Sequence, residues 1–168
     1  MLQTRLAEAI QLRETGRAKE DLEILDQART ILLNLAAADA ENAEITFQLA
    51  ICHDNMGRSP EAVPYYVQAL SQGLSGSSQE RCLLGLGSTY RSMGEYQKAA
   101  ETLRRGVKEF PNNRALQVFL AMALYNTQHY KEAMELVLNN LMETTSDEKL
   151  QYFKRGISYY ASHLDETS

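Results

Sequence analysis

Residues 83–113 read LLGLGSTYRSMGEYQKAAETLRRGVKEFPNN. Leu86, Gly87 and Tyr90 fall at helical spacing, Gly94 marks a turn, Ala99 and Leu103 lie on a second helix, and Pro111 stops it. This is a helical hairpin, with the small Gly87 where its two helices approach. The spacing recurs as MGRSPEA around Gly57, TQHYKEA around Gln128 and, faintly, TGRAKED around Gly16. Gly94 and Gln128 are 34 residues apart, Gly57 and Gly94 37, and Gly16 and Gly57 41. One hairpin cannot bury its apolar face alone, so the recurrence predicts a stack of hairpins.

Working outward, the first hairpin (2–42) is the least regular. Leu2, Leu6, Ala9 and Ile10 stripe its first helix, and Gly16 marks the expected turn. Its second helix is expected from about Lys19 to Ala38, about two turns longer than its counterpart after Gly94. In the second hairpin (43–79), Asn42 is the expected N-cap of the first helix. Ser59 should cap a helix that begins at Pro60, with a small distortion at Pro64. Gly73 suits a left-handed helix end. The following SGSS should lengthen the connection, with Ser77 and Glu80 spaced as a capping box for the third hairpin (80–113). The fourth hairpin (114–146) keeps Leu120, Ala121, Leu124, Tyr130, Ala133 and Val137 in register, although Gln128 replaces the turn glycine and Asn140 the last small residue. A final helix over 147–164 presents Leu150, Phe153, Ile157, Tyr160, Ala161 and Leu164 on one face, as a cap over the last hairpin's apolar edge.

Composition agrees with an all-α chain. Of 168 residues, 44% are hydrophobic and 23% charged, with only three prolines and nine glycines among long runs of good helix formers. That length suits one domain spanning 1–168. A net charge of −5 and no basic run argue against a nucleic-acid partner. Cys52 and Cys82 fall inside expected helices and read as free buried thiols of a reducing compartment. The N-terminal MLQTRLAEAIQLRETG lacks the apolar core of a signal peptide, and no segment approaches a membrane span of about 20 apolar residues. A cytoplasmic protein with no membrane partner is expected.

The order L-G-x-x-Y, G-x-Y-x-x-A and a closing proline resembles the tetratricopeptide repeat. Leu86, Gly87, Tyr90, Gly94, Tyr96, Ala99 and Pro111 match its pattern, while Leu83 and Leu103 stand where its tryptophan and phenylalanine would be. Together with LGSTYRSMGEY and ALYNTQHYKEAMEL, the length is similar to that of short stand-alone bacterial members of this family, for which dimers have been suggested. The resemblance implies a right-handed superhelix of about four hairpins plus a C-terminal capping helix. It further implies that the outer face of each first helix lines a concave groove. On that implication Leu6 and Ile10, then Glu44, Phe47, Ile51, Asp54 and Asn55, then Arg81, Leu84, Ser88 and Arg91, then Val118, Met122, Tyr125 and Asn126 form the candidate partner-binding stripe.

An apolar stripe with charged flanks can hold an apolar peptide or helix of another protein, with Arg81 and Arg91 available to a carboxylate. The same apolar positions can instead pack against adjacent repeats or lie under the C-terminal helix. Some family members clamp chaperone C-termini with lysine, asparagine and arginine. Leu6 and Ile10 stand at two of those places, so that activity is not expected.

Catalytic chemistry is not expected. Cys52, His53 and Asp54 are consecutive on a helix and cannot face one another as nucleophile and base. His129 and His163 have no partner at metal-ligand spacing, and Gly85 and Gly87 open no strand-turn-helix fingerprint, since Tyr90 stands where a small residue is needed. No catalytic, cofactor-binding or metal-binding residue set is proposed. The expected function is a non-enzymatic adaptor that binds a peptide or helix of another protein. Its rival is a homodimer whose groove or terminal helix is occupied by a second copy, motivated by Tyr152, Tyr159 and His163 on a second face of the last helix.

Overall fold

The computed structural model describes residues 2–167. Four antiparallel hairpins follow in chain order: α1 (Leu2–Lys19) with α2 (Leu22–Ala38), α3 (Ala43–Asn55) with α4 (Ser59–Ser71), α5 (Gly76–Ser92) with α6 (Tyr96–Glu109), and α7 (Arg114–Asn126) with α8 (Tyr130–Thr144). Two short helices, α9 (Glu148–Tyr152) and α10 (Lys154–Ala161), close the chain. The helices α3, α5 and α7 each pack on both members of the preceding hairpin, which makes the stack a superhelix. Successive apolar clusters run along it, from Ala9, Ala28, Leu32 and Leu49 through Phe47, Tyr66 and Leu86 to Leu103, Leu116 and Leu120.

All four hairpins turn in the same way. One residue takes positive φ, and the N–H after it donates to the carbonyl four residues before it: Asp21 to Gly16 (2.8 Å), Arg58 to His53, Glu95 to Tyr90 and His129 to Leu124 (each 2.9 Å). This closure satisfies carbonyls that the first helix leaves without partners. The turn residues are Glu20 (φ 54°), Gly57 (72°), Gly94 (79°) and Gln128 (66°).

The first turn therefore lies at Glu20, and the expectation at Gly16 is corrected. α1 continues through Gly16, which is small because a Cβ there would stand 2.8 Å from Leu25 Cγ. Asp21 caps α2 by accepting from the N–H groups of Glu23 (3.0 Å) and Ile24 (3.1 Å). The extra length of this hairpin is shared: α1 has 18 residues against 13, 17 and 13 in the later first helices, and α2 has 17 against 13, 14 and 15 in the later second helices. Seven residues before each later turn stand Ala50, Gly87 and Ala121, and the place in α1 is taken by Arg13, buried with Glu14 as its ion-pair partner at 3.4 Å. Burial holds that guanidinium below its usual pKa.

Other local expectations shift as well. Asn42 caps α3 as expected, accepting from the Ile45 N–H at 3.3 Å. Arg58, not Ser59, is the N-cap of α4, and α4 runs unbroken through Pro64. Gly73 takes the expected left-handed conformation, φ 85°. The SGSS segment becomes the first turn of α5, which starts at Gly76 behind Ser75, so the Ser77–Glu80 capping box is not formed. Asn140, in the place of a small residue, is buried with its amide donating to Gln117 Oε1 at 2.7 Å and to the Leu136 carbonyl at 2.9 Å. The C-terminal element is interrupted at Phe153 and is not one helix over 147–164.

Gln128 and Glu20 hold a backbone conformation that costs a side-chain-bearing residue about 1–2 kcal/mol. Gln128→Gly is expected to raise the unfolding free energy by about 0.5–1 kcal/mol, the gain being reduced by the larger unfolded-state entropy of glycine. Urea denaturation of the two proteins side by side checks this.

Candidate functional site

First helices touch one another along the stack, α1 on α3, α3 on α5 and α5 on α7, and carry the expected groove positions, whose N-terminal end moves with the first turn. Leu6 packs into the first apolar cluster, and Ile10 takes the position that Phe47, Leu84 and Val118 occupy in later hairpins. Along the middle of the stack, most groove residues already have partners within the chain. Phe47 is only 1% exposed, with the Arg81 guanidinium 5.9 Å above its ring and Tyr66 tilted against it at 6.2 Å. Ile51 packs on the second cluster and Leu84 on the third.

Asp54 Oδ2 accepts from the hydroxyls of Tyr66 and Thr89, each at 2.7 Å, and so ties α3 to α4 and α5. Burial pushes its carboxyl above the usual carboxylate range, although both hydroxyl bonds act the other way. One hairpin on, Arg91 Nε donates to Asn126 Oδ1 at 2.9 Å, a second rung between first helices. Asn55 and Ser88 are half-buried beside these rungs, and Arg81 is exposed.

The open part of the groove lies at its C-terminal end. Arg91, Val118, Met122 and Tyr125 come together there around an apolar depression of about 440 Å³. Its other wall is α8, which supplies Tyr130, Met134 and Val137, none of them expected as groove residues. Tyr125 and Tyr130 meet edge to face with ring centroids 5.3 Å apart. Val137 keeps the repeat register yet is exposed, because among the described residues no helix covers α8 on this side.

The C-terminal helices lie elsewhere on α8. α10 packs along it, with Leu138 facing Phe153, Gly156, Ile157 and Tyr160 across an apolar cleft, and Lys131 pairs with Asp165 beyond the helix end. Leu138 corresponds, one 34-residue period on, to Arg104 of α6, a flank that the internal repeats leave to solvent. Of the expected apolar stripe, Ala161 is buried, Leu150 and Ile157 are half-buried, and Phe153, Tyr160 and Leu164 are exposed. The expected shielding of the last hairpin's edge is therefore incomplete.

The residues that invited a catalytic reading are placed apart from one another. Cys52 is buried with its thiol toward the Leu25 carbonyl at 3.4 Å, and Cys82 toward the Tyr66 carbonyl at 3.6 Å. Burial pushes these thiols up to about 11 and about 12, far from the thiolate form a nucleophile needs. His53 stacks on Tyr65 at 5.2 Å, and burial, with Arg29 and Arg58 nearby, lowers its pKa. Among the described residues, no helix is long and apolar enough to cross a membrane.

Comparison with known proteins bears on this geometry. A family model described as tetratrico peptide repeat matches residues 43–164. Among solved structures, the crystal structure of MamA protein superposes with a TM-score of 0.68 at 16% identity, covering 95% of this chain and 87% of that one. The structure described as YrrB, a TPR protein with an unusual peptide-binding site, superposes with a TM-score of 0.67 at 16% identity, covering 99% and 86%. Comparison with curated proteins produced no match.

Proposed function

Because the chain belongs to the tetratrico peptide repeat family, we propose that it is a non-catalytic scaffold that holds an apolar segment of a partner protein at the C-terminal end of its concave face. The observation that carries this reading is the depression between α7 and α8, lined by Val118, Met122, Tyr125, Met134 and Val137 with Arg91 at its rim. A concave apolar surface with one convergent cation suits an apolar segment that carries a carboxylate. That YrrB is described as having a peptide-binding site agrees with this use of the fold. The acidic net charge of −5 supports a protein partner over nucleic acid, in a cytoplasmic adaptor.

The test is capture of partners by wild type beside Met122→Lys/Tyr125→Glu, after circular dichroism has established that both are folded. These sites are half-buried and exposed, so the stack should tolerate both changes. A protein retained by wild type and lost from the variant is the expected result. Equal retention would move the site away from α7.

Self-association has its own supporting observation. Tyr152, Phe153, Tyr159 and Tyr160 are all exposed on the C-terminal segment, an aromatic surface suited to pairing with a second copy. Sedimentation at tens of micromolar separates the two readings, and a monomer removes the second.

A further inference from the structure

The first helices α3, α5 and α7 sit on their predecessors through the same three positions. These are Ile45, Leu49 and Cys52 in α3, then Cys82, Leu86 and Thr89 in α5, then Leu116, Leu120 and Ala123 in α7, and all are buried. The spacing is four then three, with leucine always in the middle and a small residue always last. Contacts explain the sizes. The Cys52 thiol reaches the main-chain carbonyl of Leu25 on the helix below, and Thr89 reaches Asp54, so the last position faces a close approach. At the first position, Leu116 packs so tightly on α6 that a Cβ on Gly106 would stand 2.7 Å from it.

The receiving positions vary in chemistry, from Asp26 and Arg29 on α2 to Ala100 and Leu103 on α6, and Asn140 stands on α8 where α6 has Gly106. Ala100 and Leu103 of α6 are 5% and 0% exposed beneath α7, whereas their equivalents on α8, Met134 and Val137, are 48% and 43% exposed. Leu141, equivalent to the half-buried Val107, is 38% exposed. The last hairpin thus presents an empty seat for a fifth first helix.

The chain's own α10 does not fit that seat. Within α10 the same spacing gives Lys154, Ser158 and Ala161, with no leucine in the middle, and started one residue earlier it gives Phe153, Ile157 and Tyr160, with a tyrosine where the internal triplets have a small residue. A folded second copy does not supply the full pattern either: its three matching triplets are buried in its own stack, and α1, whose corresponding face is uncovered, reads Glu8, Leu12 and Thr15, with a carboxylate where the pattern has an aliphatic residue or cysteine. We propose that the α7–α8 face receives an α-helix of a different protein, seated as the first helix of a fifth hairpin. That helix carries an aliphatic residue or cysteine, leucine four residues on, and alanine, cysteine or threonine three beyond. The three internal interfaces define this pattern, and the proposal rests on the scaffold reading above, naming the chemistry of its partner.

The probe is a fluorescein-labelled peptide of residues 113–127, which carries the Leu116, Leu120 and Ala123 triplet. Its binding to the intact protein is read by anisotropy. Two control peptides carry Ala123→Tyr, which fills the small position, and Leu120→Pro, which breaks the helix. Wild type is expected to bind the parent peptide and to bind each control about tenfold or more weakly. Val137→Glu in the protein should weaken the parent peptide by a similar factor, and its melting curve establishes that it is folded. Equal binding of all three peptides would overturn the helical seat while leaving an apolar-segment scaffold in place. No binding of the parent peptide would also overturn the seat, and the capture experiment with Met122→Lys/Tyr125→Glu would then judge the scaffold reading separately. A wild-type dimer that Val137→Glu dissolves would assign the face to a second copy and overturn the proposal.

Discussion

Leu103→Ala is expected to lower the unfolding free energy by about 2–5 kcal/mol, the range for removing a buried leucine from a site that collapses only partly. Leu103 has no exposed surface and sits in the cluster that joins the third hairpin to the fourth, with Leu116, Leu120 and Ala99 around it. Its side chain also fills the notch left by Gly87, so the cavity opens on two interfaces at once. Urea denaturation followed by circular dichroism measures the change. A loss below about 1 kcal/mol would mean that the helices close over the gap.

The partner substitution acts from the other side of the same contact. Gly87→Leu should cost about 3 kcal/mol, at the upper end of the overpacking range. A Cβ alone on Gly87 would stand 2.4 Å from Leu103 Cγ and 2.7 Å from Cδ2, so the helices must part or Leu103 must leave its rotamer. The better helix propensity of leucine recovers less than about 1 kcal/mol of this. A double-mutant cycle isolates the cause: Gly87→Ala should be better tolerated in the Leu103→Ala background than in wild type, with a coupling of about 1 kcal/mol or more. Additive costs would place the damage outside this contact.

These two residues show how much the sequence carried. Gly87, Ala99 and Leu103 were readable as packing positions because their roles are local to one hairpin and follow the helical period. Gly57 and Gly94 were readable as turns for the same reason. Gly16 was misread because glycine meets two separate needs, positive φ and close approach, and the letter does not say which. In α1 the need is the approach of Leu25, while the left-handed residue is Glu20. Likewise SGSS has the composition of a loop, yet most of it forms the first turn of α5.

The groove divides along the same line. Periodicity placed Phe47, Leu84 and Val118 on equivalent positions, and that equivalence holds in the structure. Which of them meets solvent depends on neighbours distant in sequence: Phe47 lies beneath Arg81 from the next hairpin, whereas Val118 and Tyr125 have no next hairpin above them. Met134 and Val137 make the point from α8, being core by pattern and surface by position. The amino-acid order alone determined the hairpin, its register and the small residues at its crossings, because these depend on side chains three and four apart. Tertiary structure decided where the stack stays open. Burial belongs to whatever packs next, and α10 lies on the flank of α8 and leaves that end uncovered.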